Sequence, residues 1–125
     1  MTNPRTQYYG YNVTDEWIAD YVRRCTGVKL TQAEAENLHP ARAMITALQR
    51  ETGIKTLMFR TACPDDNSPR VYTWDDPPRV PVVSLCSNED TIFQYRPSLK
   101  QVQRMTTMIG SSPRWWLDSW WYDAV

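Results

Sequence analysis

Glycine is scarce in this chain. Four occur in 125 residues, at positions 10, 27, 53 and 110, so no glycine-rich loop can cradle a phosphate. GxGxxG, GxxxxGK[ST], GxSxG and HExxH are all absent. Histidine is scarcer still, with His39 alone. Any Ser-His-Asp or Cys-His arrangement within one chain must use it. It stands directly before Pro40, where a helix must break and where an imidazole serves as a backbone cap. That structural role is preferred over catalysis. Cysteine occurs three times, at Cys25, Cys63 and Cys86, widely spaced and without CxxC. An odd count of this kind fits free thiols in a reducing compartment, and with one histidine it speaks against a closed zinc site. No metal and no cofactor are expected, and the expected location is cytoplasmic.

Charge excess is missing as well. Fourteen basic residues balance fourteen acidic ones, so nothing pulls the chain as a whole toward nucleic acid or an anionic membrane. There is no run of eighteen apolar residues, and the first residues, MTNPRTQYYGYNVTDEW, contain no apolar signal-like stretch. Neither a bilayer span nor a secretory signal is expected.

What the chain does have is enough apolar material for a core. Hydrophobic residues make up 42% and aromatics 12%, which argues against disorder. The length suits a single domain over residues 1–125. Eleven of the fourteen cations are arginine, a lean toward planar, stacked or bidentate contacts.

Tyr8, Tyr9 and Tyr11 make residues 1–13 an aromatic, extended lead-in that should lie against the domain. TDEWIADYVRRCTG reads as a helix. Thr14 caps it, Asp15 and Glu16 suit its positive end, and Gly27 stops it. Its stripe is Trp17, Ile18, Tyr21, Val22 and Cys25. A second helical region starts at a Thr31–Glu34 capping box, breaks near His39 and continues to about Thr52, with Gly53 as its stop. Its stripe is Ala41, Met44, Ile45 and Leu48. The middle of the chain turns to short β-branched and aromatic runs: IKTLMFRT, RVYTW, VPVVSLC and TIFQYR. The turn-rich stretches ACPDDNSP and DDPP separate them. Pro81 marks an edge position or the start of its strand. Ser98 and Gln101 form a capping box for another helix, with Leu99, Val102, Met105, Met108 and Ile109 as its stripe and Gly110 as its stop. SSPRWWLDSWWYD is read as a last helix, with Ser112 as cap and Pro113 at the first helical position. The expected fold is therefore α+β: a small, largely antiparallel sheet of three or four strands, with N-terminal and C-terminal helix pairs packed on it.

Few residues suggest chemistry. Asp65-Asp66 and Asp75-Asp76 have the carboxylates to hold a hard cation or to act as acid and base, but beside Pro, Asn and Ser they are read as ordinary turn chemistry. Cys63-Pro64 resembles the short heme-regulatory motif. The neighbouring carboxylates would raise the thiol pKa, and an exposed loop cysteine is expected instead. Cys25 and Cys86 are expected in the core. Arginines interleaved with aromatics in RVYTW and FQYR would suit base stacking, but zero net charge disfavours a nucleic-acid partner.

The densest signal is terminal. Four of six tryptophans fall in the last eleven residues. On a helix at about 100° per residue, Trp116, Leu117, Trp120 and Trp121 share one face, with Trp115 and Tyr122 opposite and Arg114 able to pair with Asp118. One face would dock on the core, and the other would face a partner, since Trp, Tyr and Arg dominate binding hot spots. Arg114, Trp115, Trp116, Trp120, Trp121 and Tyr122 are thus the candidate binding residues. No catalytic residue is assigned. The expected function is a small intracellular binding or interaction protein with an aromatic C-terminal contact surface, taking a protein partner or a second copy of itself as a homodimer. The alternative is a small enzyme or carrier with an aromatic-lined pocket between sheet and helices for a small apolar or aromatic ligand, its polar groups supplied by Arg60, Arg70, Arg96 or the Asp pairs.

Overall fold

The computed structural model describes residues 6–64, 79–89 and 96–118. Along them run β1 (Gln7–Asn12), α1 (Asp15–Cys25), α2 (Gln32–Asn37), α3 (Pro40–Thr52), β2 (Met58–Pro64), β3 (Val80–Ser87), α4 (Leu99–Ile109) and β4 (Arg114–Asp118). The described chain is α+β, with four helices and four antiparallel strands.

The helices begin and end where local chemistry dictates. The Thr14 hydroxyl accepts the Trp17 N–H at 3.1 Å. Thr31 with Glu34 and Ser98 with Gln101 form complete capping boxes, each satisfying two otherwise orphaned donors. Pro40 occupies the first turn of α3, and His39 Nδ1 accepts the Ala41 N–H at 3.2 Å, so the imidazole is the cap that its position suggested. Gly53 and Gly110 end α3 and α4 in the left-handed conformation, at φ 76° and 88°, where a Cβ would be strained.

The strands close on themselves in the order β1-β3-β2-β4, with β4 also paired to β1. Closure gives each of the four described strands a paired neighbour on both sides. The register pairs Tyr11 with Val83 and Asn12 with Val82 on one side of β3, and Phe59 with Val83 and Arg60 with Val82 on the other. Directly opposed residues share a face. Between Tyr9 and Gly10 the register shifts: Gly10 faces Ser84 and Tyr9 faces Cys86. Leu85 is therefore an extra residue in β3, a bulge that sharpens the curl a small barrel needs.

The two faces build two cores. Outside, Tyr11, Val83 and Leu85 meet Ile18 and Tyr21 of α1, Met44 and Leu48 of α3 and Met105 of α4, all buried. Each large aliphatic side chain buried there contributes about 1.5–3 kcal/mol. The Tyr11 hydroxyl reaches α4, 3.1 Å from the Val102 carbonyl and 2.9 Å from Thr106 Oγ1, and burial pushes its pKa up. Inside the barrel, Val80, Val82, Ala62 and Trp116 pack with Tyr8 against them.

Several expectations are corrected. Arg114–Asp118 is a strand, not a helix, so the C-terminal helix pair reduces to α4 among the described residues. The N-terminal pair is three helices, because α2 is separated from α3 by the His39 break. Helices do not cover one face of an open sheet. They pack on the outside of a closed barrel. Leu99, assigned to the apolar stripe of α4, is 74% exposed, because the first turn of the helix projects beyond the core. Cys63 is not an exposed loop residue. It is fully buried in β2, opposite Leu117. Pro81 is the second residue of β3, as a strand start allows, but the strand is paired on both sides. The expected strands RVYTW and most of TIFQYR, with Arg70 and the four turn aspartates, lie outside the described residues.

Candidate functional site

The N-terminal lead-in and the C-terminal tryptophans come together, because β1 and β4 pair along Tyr8–Trp116 and Tyr9–Trp115. The pleat sends alternate residues to opposite faces. Trp116 enters the barrel, 2% exposed, and donates its indole N–H to the Gly10 carbonyl at 3.0 Å. Trp115 stays half-buried on the outer face, its ring centroid 5.1 Å from that of Tyr9 and tilted by 45°. Leu117 is buried and Arg114 is exposed. The helical grouping of Trp116 with Leu117, and the pairing of Arg114 with Asp118 across a helix, do not form in a strand. Of the six candidate residues, Trp116 is committed to the interior, while Arg114 and Trp115 stay accessible. Trp120, Trp121 and Tyr122 lie outside the described residues.

A concavity lies between helices and barrel. It is a groove of about 480 Å³ lined by Ile18, Ala19, Pro40, Ala41 and Phe59, with Asp15 and His39 as its polar members. The elements that shape it are α1, the first turn of α3 and the outer face of β2. Sequence reasoning placed Ile18 and Ala41 on core stripes but did not find this groove. Phe59 and Pro40 meet only when β2 docks beside the helices, and no local pattern announces that. His39 is placed by its capping bond. Because its Nδ1 accepts the Ala41 N–H, a neutral ring carries its proton on Nε2 and presents a donor.

A second cavity, of about 230 Å³, is lined by Tyr21, Cys25, Val28, Glu51 and Met108 together with Arg24 and Lys29. The Tyr21 hydroxyl donates to Glu51 Oε2 at 2.7 Å, and Trp17 stacks on the Tyr21 ring at 5.1 Å. Burial first, then the bonds to Glu51 and Cys25, drives the Tyr21 pKa far above the ordinary phenol value. A hydroxyl held so firmly protonated acts as a structural donor, not a base.

On the barrel's inner face, Arg60 lies over Tyr8 with its guanidinium carbon 5.4 Å from the ring centroid. Among the described residues no group of three or more His, Cys, Asp or Glu is placed to hold a metal, and no helix is long and apolar enough to cross a membrane. All three cysteines are buried, and none is in a disulfide. Comparison with protein families, with curated proteins and with solved structures finds no match to this chain.

Proposed function

We propose that the protein is a cytoplasmic binding protein without catalysis of its own, whose groove between α1, α3 and β2 takes a small, largely apolar or aromatic ligand. The groove itself carries this reading. Its volume of about 480 Å³ falls within the roughly 300–1,000 Å³ of small-molecule sites. Its lining is apolar, with one donor from His39 and one carboxylate from Asp15, the few polar groups that orient a ligand in such a site. The exposed Ala19 offers a clean test. Replacing it with tryptophan should fill the groove while leaving the buried face of α1 intact. A panel of aromatic metabolites is screened by shift in melting temperature. At least one compound should raise the melting temperature of the parent protein and lose that effect with Ala19→Trp. A null across the panel, or a shift that survives the substitution, removes the groove from consideration.

The half-buried Tyr9–Trp115 pair on the outer face supports a second reading, in which the β1–β4 seam meets a protein partner or a second copy of the chain. Tryptophan and tyrosine are the aromatic residues enriched in interface hot spots. Sedimentation of the parent protein and of Trp115→Ala decides it. A homodimer that dissociates in the variant supports the seam, and a parent protein monomeric at high concentration argues against self-association.

A further inference from the structure

The inner face of the barrel holds two polar atoms that no strand pairing explains. Arg60 and Asn12 flank Val82 from opposite sides, both directly across from it, so all three share the inner face. Their Cα atoms are two strand spacings apart, about 10 Å. The Arg60 guanidinium rests on Tyr8 and sends Nη2 to the sulfur of Met58 at 3.2 Å, but its buried Nε has no hydrogen-bond partner. No carboxylate lies within ion-pair distance of Arg60 among the described residues. Asn12 uses its amide nitrogen on the carbonyls of Val13 and Pro81, at 3.2 and 3.0 Å. That fixes the amide orientation and leaves Oδ1 buried with no donor. A half-buried cation without a counter-ion is costly, and so is an orphaned acceptor. One bound group would settle both.

We propose that this inner-face site binds a small oxyanion bearing its own hydroxyl, with the charged oxygens on Arg60 and the O–H donated to Asn12 Oδ1. Hydrogen phosphate and an α-hydroxycarboxylate share that chemistry. Neither a bare oxyanion nor a neutral alcohol satisfies both atoms. The site is independent of the groove: Phe59 lines the groove and Arg60, next in the strand, points the other way.

Isothermal titration calorimetry on the full chain, in a buffer free of other oxyanions, tests this with two matched pairs. Inorganic phosphate is compared with sulfate, and glycolate with acetate. The hydroxyl-bearing member of at least one pair should bind about tenfold or more tighter than its partner, since the partner leaves the buried Asn12 acceptor unmet. The pair that discriminates identifies the source of the anion. Arg60→Gln should abolish that binding, and Arg60→Lys, which keeps charge but not the planar Nε–H, should weaken it. Sulfate binding as well as phosphate together with acetate binding as well as glycolate would overturn the proposal, as would no binding of any of the four. These comparisons on the parent protein decide the matter even if a variant fails to fold. Undiminished binding by a folded Arg60→Gln variant would also overturn it.

Discussion

At the scale of single residues, Gly10 is the glycine whose site has no room for a side chain. A Cβ built there would lie 2.1 Å from the Val83 carbonyl oxygen and 2.9 Å from the Ser84 Cα. Both are backbone atoms of the paired strand, and neither can move without breaking the ladder. Overpacking typically costs about 1–3 kcal/mol, occasionally more, and a backbone clash inside a closed barrel belongs at the upper end. Gly10→Ala is expected to lower the urea midpoint sharply or prevent folding. A midpoint within experimental error of the parent would show that the β1–β3 register is wrong. Trp116 presents a finer test. Phenylalanine keeps the aromatic filling but removes the N–H that reaches the Gly10 carbonyl. Trp116→Phe should lose about 1–3 kcal/mol on equilibrium unfolding, less than the roughly 3–5 kcal/mol of a buried Trp→Ala change.

Among the elements, α3 depends on an unusual cap. His39→Ala removes the acceptor for the Ala41 N–H and should cost about 0.5–2 kcal/mol, whereas His39→Asn restores a strong capping residue and should lose little. Equal losses from both would assign His39 some role besides the cap. Glu34 of α2 is bound by both arms of the Arg50 guanidinium from α3, each at 2.8 Å. That partner, with the Thr31 N–H, holds the Glu34 pKa at about 2, below its ordinary 4.5. A carboxyl depressed on folding adds stability above the unfolded value, and the contribution disappears as pH falls from about 4.5 toward about 2. The parent protein should therefore lose more stability between neutral pH and about pH 3 than Arg50→Gln, measured by urea unfolding. The difference should shrink in concentrated salt, because the pair is partly exposed. An identical acid limb in the two proteins would show that the α2–α3 pair contributes nothing.

For the molecule as a whole, three cysteines are buried and outside any disulfide, and burial raises the Cys86 pKa, which keeps the reactive thiolate scarce. A thiol reagent should react slowly with native protein and find three thiols once it is unfolded, without reductant. Fast reaction of one native thiol would place a cysteine at the surface, with Cys63 the first to examine. Fewer than three thiols after unfolding would reveal a bridge.

How much of this was legible in the chain follows from the range over which each feature is decided. The caps at Thr14, Thr31, His39 and Ser98 and the stops at Gly53 and Gly110 are local. A side chain meets a backbone group two or three residues away, and the sequence alone determines them. The apolar stripes of α1 and α3 are equally local in period, and Ile18, Tyr21, Met44 and Leu48 are buried as that period requires. The C-terminal stretch is different. Ser112-Pro113 is a good helix start, and nothing near it forbids a helix. It becomes β4 because β1 and β2 each carry a row of backbone groups that only another strand can satisfy. Its pairing with Tyr8 and Tyr9, and the Trp116 bond to a carbonyl 106 residues earlier, are beyond any local pattern. The same holds for the groove and for Arg60 and Asn12, which share a face only because β3 lies between their strands. Only the tertiary structure decided these, since hydrogen-bond satisfaction across a closed barrel is a property of all four strands together.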